Sequence, residues 1–180
     1  MSSLPTSPRS ASYERITKET SITISVDLDG SGTTDIETGL PFFGHMLDQL
    51  GRHGGFDLKV HAAGDLEAHH TVEDVGIALG ETFRNAWGDK KGVRRFASNT
   101  VPLDEAAVEI VLALSGRPYL HYVVDFPGEK ILSDPPFDPQ LVEEFWRAFV
   151  MASGITLHVV MHRGRNTHHI IEALYKGVAR

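Results

Sequence analysis

Apolar and polar residues alternate from Ser21 to Leu28, with Ile22, Ile24, Val26 and Leu28 on one side and Thr23, Ser25 and Asp27 on the other. A period of two predicts a strand with one wet face, and Asp29-Gly30-Ser31-Gly32 follows as a turn. After Pro41 the period lengthens. Phe42, Phe43, Met46, Leu47 and Leu50 recur at helical spacing until Gly51, and beyond Gly54-Gly55 the alternation of Phe56, Leu58 and Val60 predicts another strand. From Thr71 the set Val72, Val75, Ala78, Leu79 and Phe83 predicts a second helix that stops before Gly88.

The same order returns in the second half. Val108, Ile110, Leu112 and Leu114 alternate; Leu141, Val142, Phe145, Trp146 and Phe149 are helically spaced; Leu157 and Val159 alternate; Ile170, Ile171, Leu174 and Val178 are helical again. Adding 99 places Gly55 on Gly154, Leu58 on Leu157, Val60 on Val159, His69 on His168, His70 on His169 and Glu73 on Glu172 without a gap. Adding 86 brings Glu19, Ile22, Ile24, Val26, Leu28 and Gly30 onto Glu105, Val108, Ile110, Leu112, Leu114 and Gly116. The difference, 99 − 86 = 13 residues, predicts a loop insertion in the proline-rich stretch from Asp125 to Pro139. The pattern therefore predicts an α+β protein of internally duplicated halves related by a pseudo-twofold, each a mostly antiparallel sheet packed in two layers against helices. Residues 13–92 and 93–180 are the expected half-repeats of one compact unit, and the Ser/Pro-rich residues 1–12 are an expected disordered leader.

Composition narrows the chemistry. The 180 residues carry 17 Lys+Arg and 24 Asp+Glu, a net charge of −7, with 10 histidines and no cysteine. Thiolate catalysis, disulfides, zinc fingers and iron–sulfur clusters are excluded, so any metal must be held by nitrogen and oxygen. The short basic cluster Lys90, Lys91, Arg94 and Arg95 sits in an acidic chain, which argues against nucleic acid as a partner. No apolar run reaches the roughly 18 to 20 residues of a membrane span, and the first residues lack the apolar core of a signal peptide. A soluble cytoplasmic protein is expected.

His69-His70-Thr71-Val72-Glu73 and His168-His169-Ile170-Ile171-Glu172 each open a predicted helix. Adjacent helical residues point about 100° apart, whereas residues three or four apart share a face, so each Glu can join one His while the other His looks elsewhere. Two such motifs would feed two metal centres, each drawing a His and a Glu from one motif and the remaining His from the other. His45 lies 24 residues before His69, and Glu144 lies 24 before His168. His45, His69, His70, Glu73, Glu144, His168, His169 and Glu172 then make two four-ligand sites. Water or substrate would complete six-coordination, which suits Mn²⁺, with Fe²⁺, Co²⁺ and Zn²⁺ as substitutes. His53, His61, His121, His158 and His162 belong to no repeated motif and are read as surface or strand residues.

The runs RITKET from Arg15, FFGHMLDQLGRHGGFDL from Phe42, HHTVEDVGIALG from His69, GVRRF from Gly92, PLDEA from Pro102, SGRPY from Ser115 and NTHHIIEALYKGVAR from Asn166 resemble the imidazoleglycerol-phosphate dehydratase family of histidine biosynthesis, over residues 13 to 180. The resemblance implies a dinuclear Mn²⁺ lyase of duplicated halves, assembled from trimers into a 24-subunit shell with active sites between subunits. It implies loss of water from D-erythro-imidazole-glycerol phosphate to give imidazole-acetol phosphate. The hydrogen removed sits on an unactivated carbon, so metal charge that stabilises the ring as an imidazolate is what lowers the barrier. By the same resemblance Glu19 is the acid–base residue, Gln49 contacts substrate, and Arg95, Arg117 and Lys176 bind phosphate.

This chain departs from the family pattern at Gly44, where Asp is frequent, and at Glu144, where His is frequent. The carboxylate adds negative charge to one site. The family also continues past the position of Arg180 into a tail whose Ser and Lys help bind phosphate, so weaker phosphate binding is expected of this polypeptide. The residues alone leave open a dinuclear metallohydrolase, or a metal-binding shell protein without turnover.

Overall fold

The computed structural model describes residues 9–180. In the first half β1 (Ser10–Ile16) and β2 (Thr20–Asp27) form a hairpin, β3 (Thr34–Glu37) leads through α1 (Pro41–Gly54) into β4 (Asp57–Gly64), and α2 (Ala68–Trp87) follows. The second half repeats this as β5 (Phe96–Leu103), β6 (Ala106–Ala113), β7 (Tyr119–Val123), α3 (Gln140–Ser153), β8 (Thr156–Arg163) and α4 (Thr167–Ala179). The two sheets have the orders β1-β2-β4-β3 and β5-β6-β8-β7. All pairs are antiparallel except β3 with β4 and β7 with β8, whose parallel partners are joined through a crossover helix.

The starts of α1 and α3, of β4 and β8, and of α2 and α4 differ by the expected 99 residues, and those of β1 and β5 and of β2 and β6 by 86. The change of offset falls between β7 and α3, where the insertion was expected. The unpatterned leader expected over residues 1–12 is corrected at its end: Ser10, Ala11 and Ser12 pair with Asp27, Val26 and Ser25, because the β2 edge offers backbone partners whatever the side chains are. Residues 1–8 of that leader lie outside the described residues. Gly55 and Gly154, identical in the overlay, both follow a helix at positive φ (70° and 74°), which a side chain with a Cβ would disfavour.

Each half is two-layered, and the two helix layers meet. The alternation in β2 buries Ile22, Ile24 and Val26, and that in β6 buries Val108 and Ile110. α2 lies on β1 and β2, and α4 on β5 and β6; α2 then packs on α3, and α1 on α4. The helices thus share one core across the pseudo-twofold. Gly76 and Gly80 let α2 approach α3 closely: a Cβ on Gly76 would lie 2.7 Å from the Phe145 carbonyl oxygen, and one on Gly80 2.7 Å from Ala152 Cβ. Among the described residues, no helix is long and apolar enough to cross a membrane.

Candidate metal centre

The contact of α1 with α4 brings together one residue from the first half and two from the second. His168 Nε2 lies 2.9 Å from Glu172 Oε2, as the helical i, i+4 spacing dictates, and His45 Nε2 reaches the same oxygen at 3.5 Å. These ligand atoms all fall within 4.8 Å of one another. Lys176, one further turn along α4, donates to the other Glu172 oxygen at 2.6 Å. Burial pushes the Glu172 carboxyl up, but the bonds from Lys176 and His168 outweigh it and hold the group below its ordinary range. The donor set, two imidazoles around a carboxylate that stays ionised, fits a divalent cation. Asn166 caps α4 by accepting from the His168 amide at 3.0 Å, which fixes where the motif begins.

On α2 the first half makes a smaller version. His69 Nε2 meets Glu73 at 3.4 Å, with both side chains nearly half exposed. Among the described residues of one chain, the eight expected ligands do not gather into two four-ligand sites. Glu144, the counterpart of His45, joins neither His–carboxylate cluster among the described residues; it and Glu73 are like charges and do not attract. The second His of each motif also turns away from its own Glu, since neighbouring helical positions diverge. His70 Nδ1 lies 3.0 Å from Asp65, and His169 Nδ1 lies 2.8 Å from Glu105. Asp65 raises the basicity of His70. The bond from His169, with the amides of Arg165 and Asn166, draws Glu105 down to about 2.

Glu19 occupies the exposed turn between β1 and β2, and its carbonyl accepts from the Asp65 amide at 3.0 Å, beside the start of α2. Gln49 lies one turn after His45 on α1 and bonds His53 at 3.2 Å. His53, read as a surface residue, therefore continues the stripe His45, Gln49, His53. Burial and the charge of Lys176 push its imidazole down. The i, i+4, i+8 spacing was the signal that could have found it. Asp65 and Glu105 were also missed as imidazole partners, although Glu105 is the image of Glu19 at +86. Of the expected phosphate cations only Lys176 adjoins the cluster. Arg95 and Arg117 are exposed at the end of β5 and β6 opposite Glu105, where the Leu114 amide bonds the Arg95 carbonyl and Thr156 bonds the Arg117 carbonyl. A second grouping, Asp35, Glu37 and His61, lies on the outer face of the first sheet, where Asp35 already pairs with Lys59 at 3.0 Å and His61 at 3.1 Å. His121 and His158 are cross-strand neighbours on the second sheet, and His162 pairs with Glu109.

Comparison with known proteins identifies the family and the fold. The family model described as imidazoleglycerol-phosphate dehydratase matches residues 38–180. The imidazoleglycerol-phosphate dehydratase of Gluconacetobacter diazotrophicus is 55% identical over 96% of this chain and 86% of its own length, and that of Corynebacterium efficiens is 50% identical over 98% and 89%. The crystal structure of the Staphylococcus aureus N315 enzyme superposes with a TM-score of 0.84 at 37% identity, covering 94% of each chain. That of the Pyrococcus furiosus enzyme in complex with (S)-C348 gives 0.79 at 32% identity, over 92% of this chain and 88% of that one. Duplicated halves, paired His-His-x-x-Glu helices and these relatives lead to one conclusion: the chain belongs to the imidazoleglycerol-phosphate dehydratase family of hydro-lyases.

Proposed function

We propose that this chain dehydrates D-erythro-imidazole-glycerol phosphate to imidazole-acetol phosphate in histidine biosynthesis, at a centre of two Mn²⁺ ions. The observation that carries this reading is the convergence of His45, His168 and Glu172 from both halves onto one point, with Lys176 alongside. Bound divalent cations would supply the positive charge that favours the deprotonated azole ring.

The chain's own residues do the rest. Glu172 with His45 and His168 holds one cation, and Glu73 with His69 begins the second site. His70 and His169 face outward, each with a carboxylate on Nδ1, the arrangement that orients a metal-ligating imidazole. In this reading they complete the sites of neighbouring copies, in a shell of 24 subunits built from trimers in the cytoplasm. A cation that neutralises both carboxylates would let Glu144 join Glu73 at the second site, where the resemblance implies that His is frequent. Glu19, on its turn beside α2, moves the proton at the reacting carbon and hydroxyl, and Gln49 orients the substrate. Lys176 is the counter-ion of Glu172 and the cation offered to phosphate when Glu172 serves a metal; Arg95 and Arg117, remote within one chain, reach phosphate across a subunit boundary.

Elemental analysis and light scattering of the metal-free and Mn²⁺-loaded protein, with a dehydration assay of parent and Glu19→Gln, test the reading. About two ions per subunit, a metal-dependent rise in mass, and a loss of turnover by about 100-fold or more in E19Q are expected. One ion or none per subunit, or a fully active E19Q, overturns it.

A further inference from the structure

The segment RITKET and the end of HHTVED meet inside the molecule, at a carboxylate to which no part of the proposed reaction assigns a role. Asp74, one residue past Glu73, is 9% exposed. Its Oδ1 accepts from Arg15 Nε at 2.8 Å, and its Oδ2 from Thr20 Oγ1 at 2.5 Å and Thr17 Oγ1 at 3.4 Å. Thr17 and Thr20 bracket Glu19. The Thr17 hydroxyl also accepts from the amides of Glu19 at 3.2 Å and Thr20 at 3.0 Å, while the Glu19 carbonyl is held by Asp65. Glu19 is thus fixed through its backbone on both sides while its side chain stays exposed.

The duplication supplies an internal control. At +86 and +99 the second half has Val101 for Arg15, Leu103 for Thr17, Ala106 for Thr20 and Ala173 for Asp74, yet it keeps Glu105 for Glu19. Ala106 and Ala173 are 1% and 0% exposed and belong to the common core, with Leu103 packed against it. The equivalent hairpin therefore sits on the equivalent helix with apolar residues in place of the buried carboxylate and its Arg and Thr partners. Burying a carboxylate and its partners carries a desolvation cost that apolar residues at these places avoid, so the fold itself does not demand the network. What distinguishes the two turns is their glutamate: Glu105 is bound to His169 and two amides, whereas the Glu19 side chain is free to act only if its turn is held by other means.

We infer that Asp74, acting through Arg15, Thr17 and Thr20, is the positioning residue that locks the Glu19 turn against α2. The inference rests on the acid–base reading of Glu19. Misplacing a reacting group by about 1 Å can cost about 100-fold in rate. The test is steady-state kinetics of the Mn²⁺-loaded protein carrying Asp74→Ala with Thr20→Ala, which copies the second half, and of Thr20→Val and Thr20→Ser alone, each in the parent and the Glu19→Gln background. The double variant is expected to keep the parent's metal content and KM and to lose about 10- to 100-fold in kcat. Thr20→Ser, which retains the hydroxyl, should stay within about twofold of the parent, and Thr20→Val should not. In the E19Q background the double change should have little further effect, because it acts through Glu19. A double variant as active as the parent, a loss that persists undiminished in E19Q, or a loss that tracks metal content overturns the inference. If the double variant fails to fold, the contrast of Thr20→Val with Thr20→Ser decides it. An inactive E19Q beside a fully active double variant refutes the positioning role alone; a fully active E19Q refutes the acid–base reading and the positioning role with it.

Discussion

The two His-His-x-x-Glu helices hold the same residues at the same turn, but their surroundings differ. The Glu172 side chain is 12% exposed and engages His45, His168 and Lys176; the Glu73 side chain is 48% exposed and meets His69. The difference lies in what each neighbourhood supplies: His45 is replaced by Glu144, and Lys176 by Ile77. A motif fixes the spacing of its own ligands. The facing helix and the next turn decide whether the carboxylate is buried and neutralised.

The largest expected effect separates these two glutamates. Glu172→Ala leaves Lys176, 18% exposed, without its counter-charge, so both thermal midpoint and activity should fall, the latter by about 100-fold or more. Glu73→Ala should lose activity comparably while its thermal midpoint hardly moves, because its carboxylate is half exposed. Thermal unfolding and turnover of the two variants side by side check this, and equal losses of midpoint would erase the distinction.

The helix crossings give the next contrast. Gly76 in α2 corresponds to Tyr175 in α4. Tyr175 is 1% exposed and stacks against Phe145, with ring centroids 5.5 Å apart. Tyr175→Ala should cost about 3–5 kcal/mol by opening a cavity, and Gly76→Ala about 1–3 kcal/mol by overpacking against Phe145 and Ala148. Denaturant unfolding ranks them.

The smallest effect is acid-dependent. Asp57 accepts from the amides of Ser31 and Thr33, and these bonds hold its carboxyl below the ordinary range. A carboxyl whose folded value is depressed stabilises above the unfolded range and loses that contribution as pH falls through the folded value. At the equivalent place the second half uses Thr156 and Ser115, which do not titrate there. Between about pH 5 and pH 3, amide exchange at Ser31 and Thr33 should accelerate relative to Arg117 once intrinsic rates are removed. Parallel behaviour of the two turns would remove the contrast.

The strands and helices with a strongly buried face, β2, α1, α2, α3, β8 and α4, were legible in the sequence because burial imposes a period. The edge strands β1 and β5 were not, since their positions only alternate between exposed and half-buried and leave no apolar stripe. The unbroken overlay at an offset of 99 residues made both motifs visible, and with them the eight candidate ligands. Which of those ligands meet was not visible, because His70 finds Asp65, and His169 finds Glu105, through the packing of turns on helix starts.

Sequence alone determined the duplication, the paired His-His-x-x-Glu motifs and the family, because these depend on residue identity and on spacing along one chain. Tertiary structure decided that α1 meets α4, that Glu172 is buried beside His45 while Glu73 stays exposed, and that Asp74 reaches the Glu19 turn. Those are distances between residues tens of positions apart. They are set by how two helix layers close on a shared core, which no local period encodes.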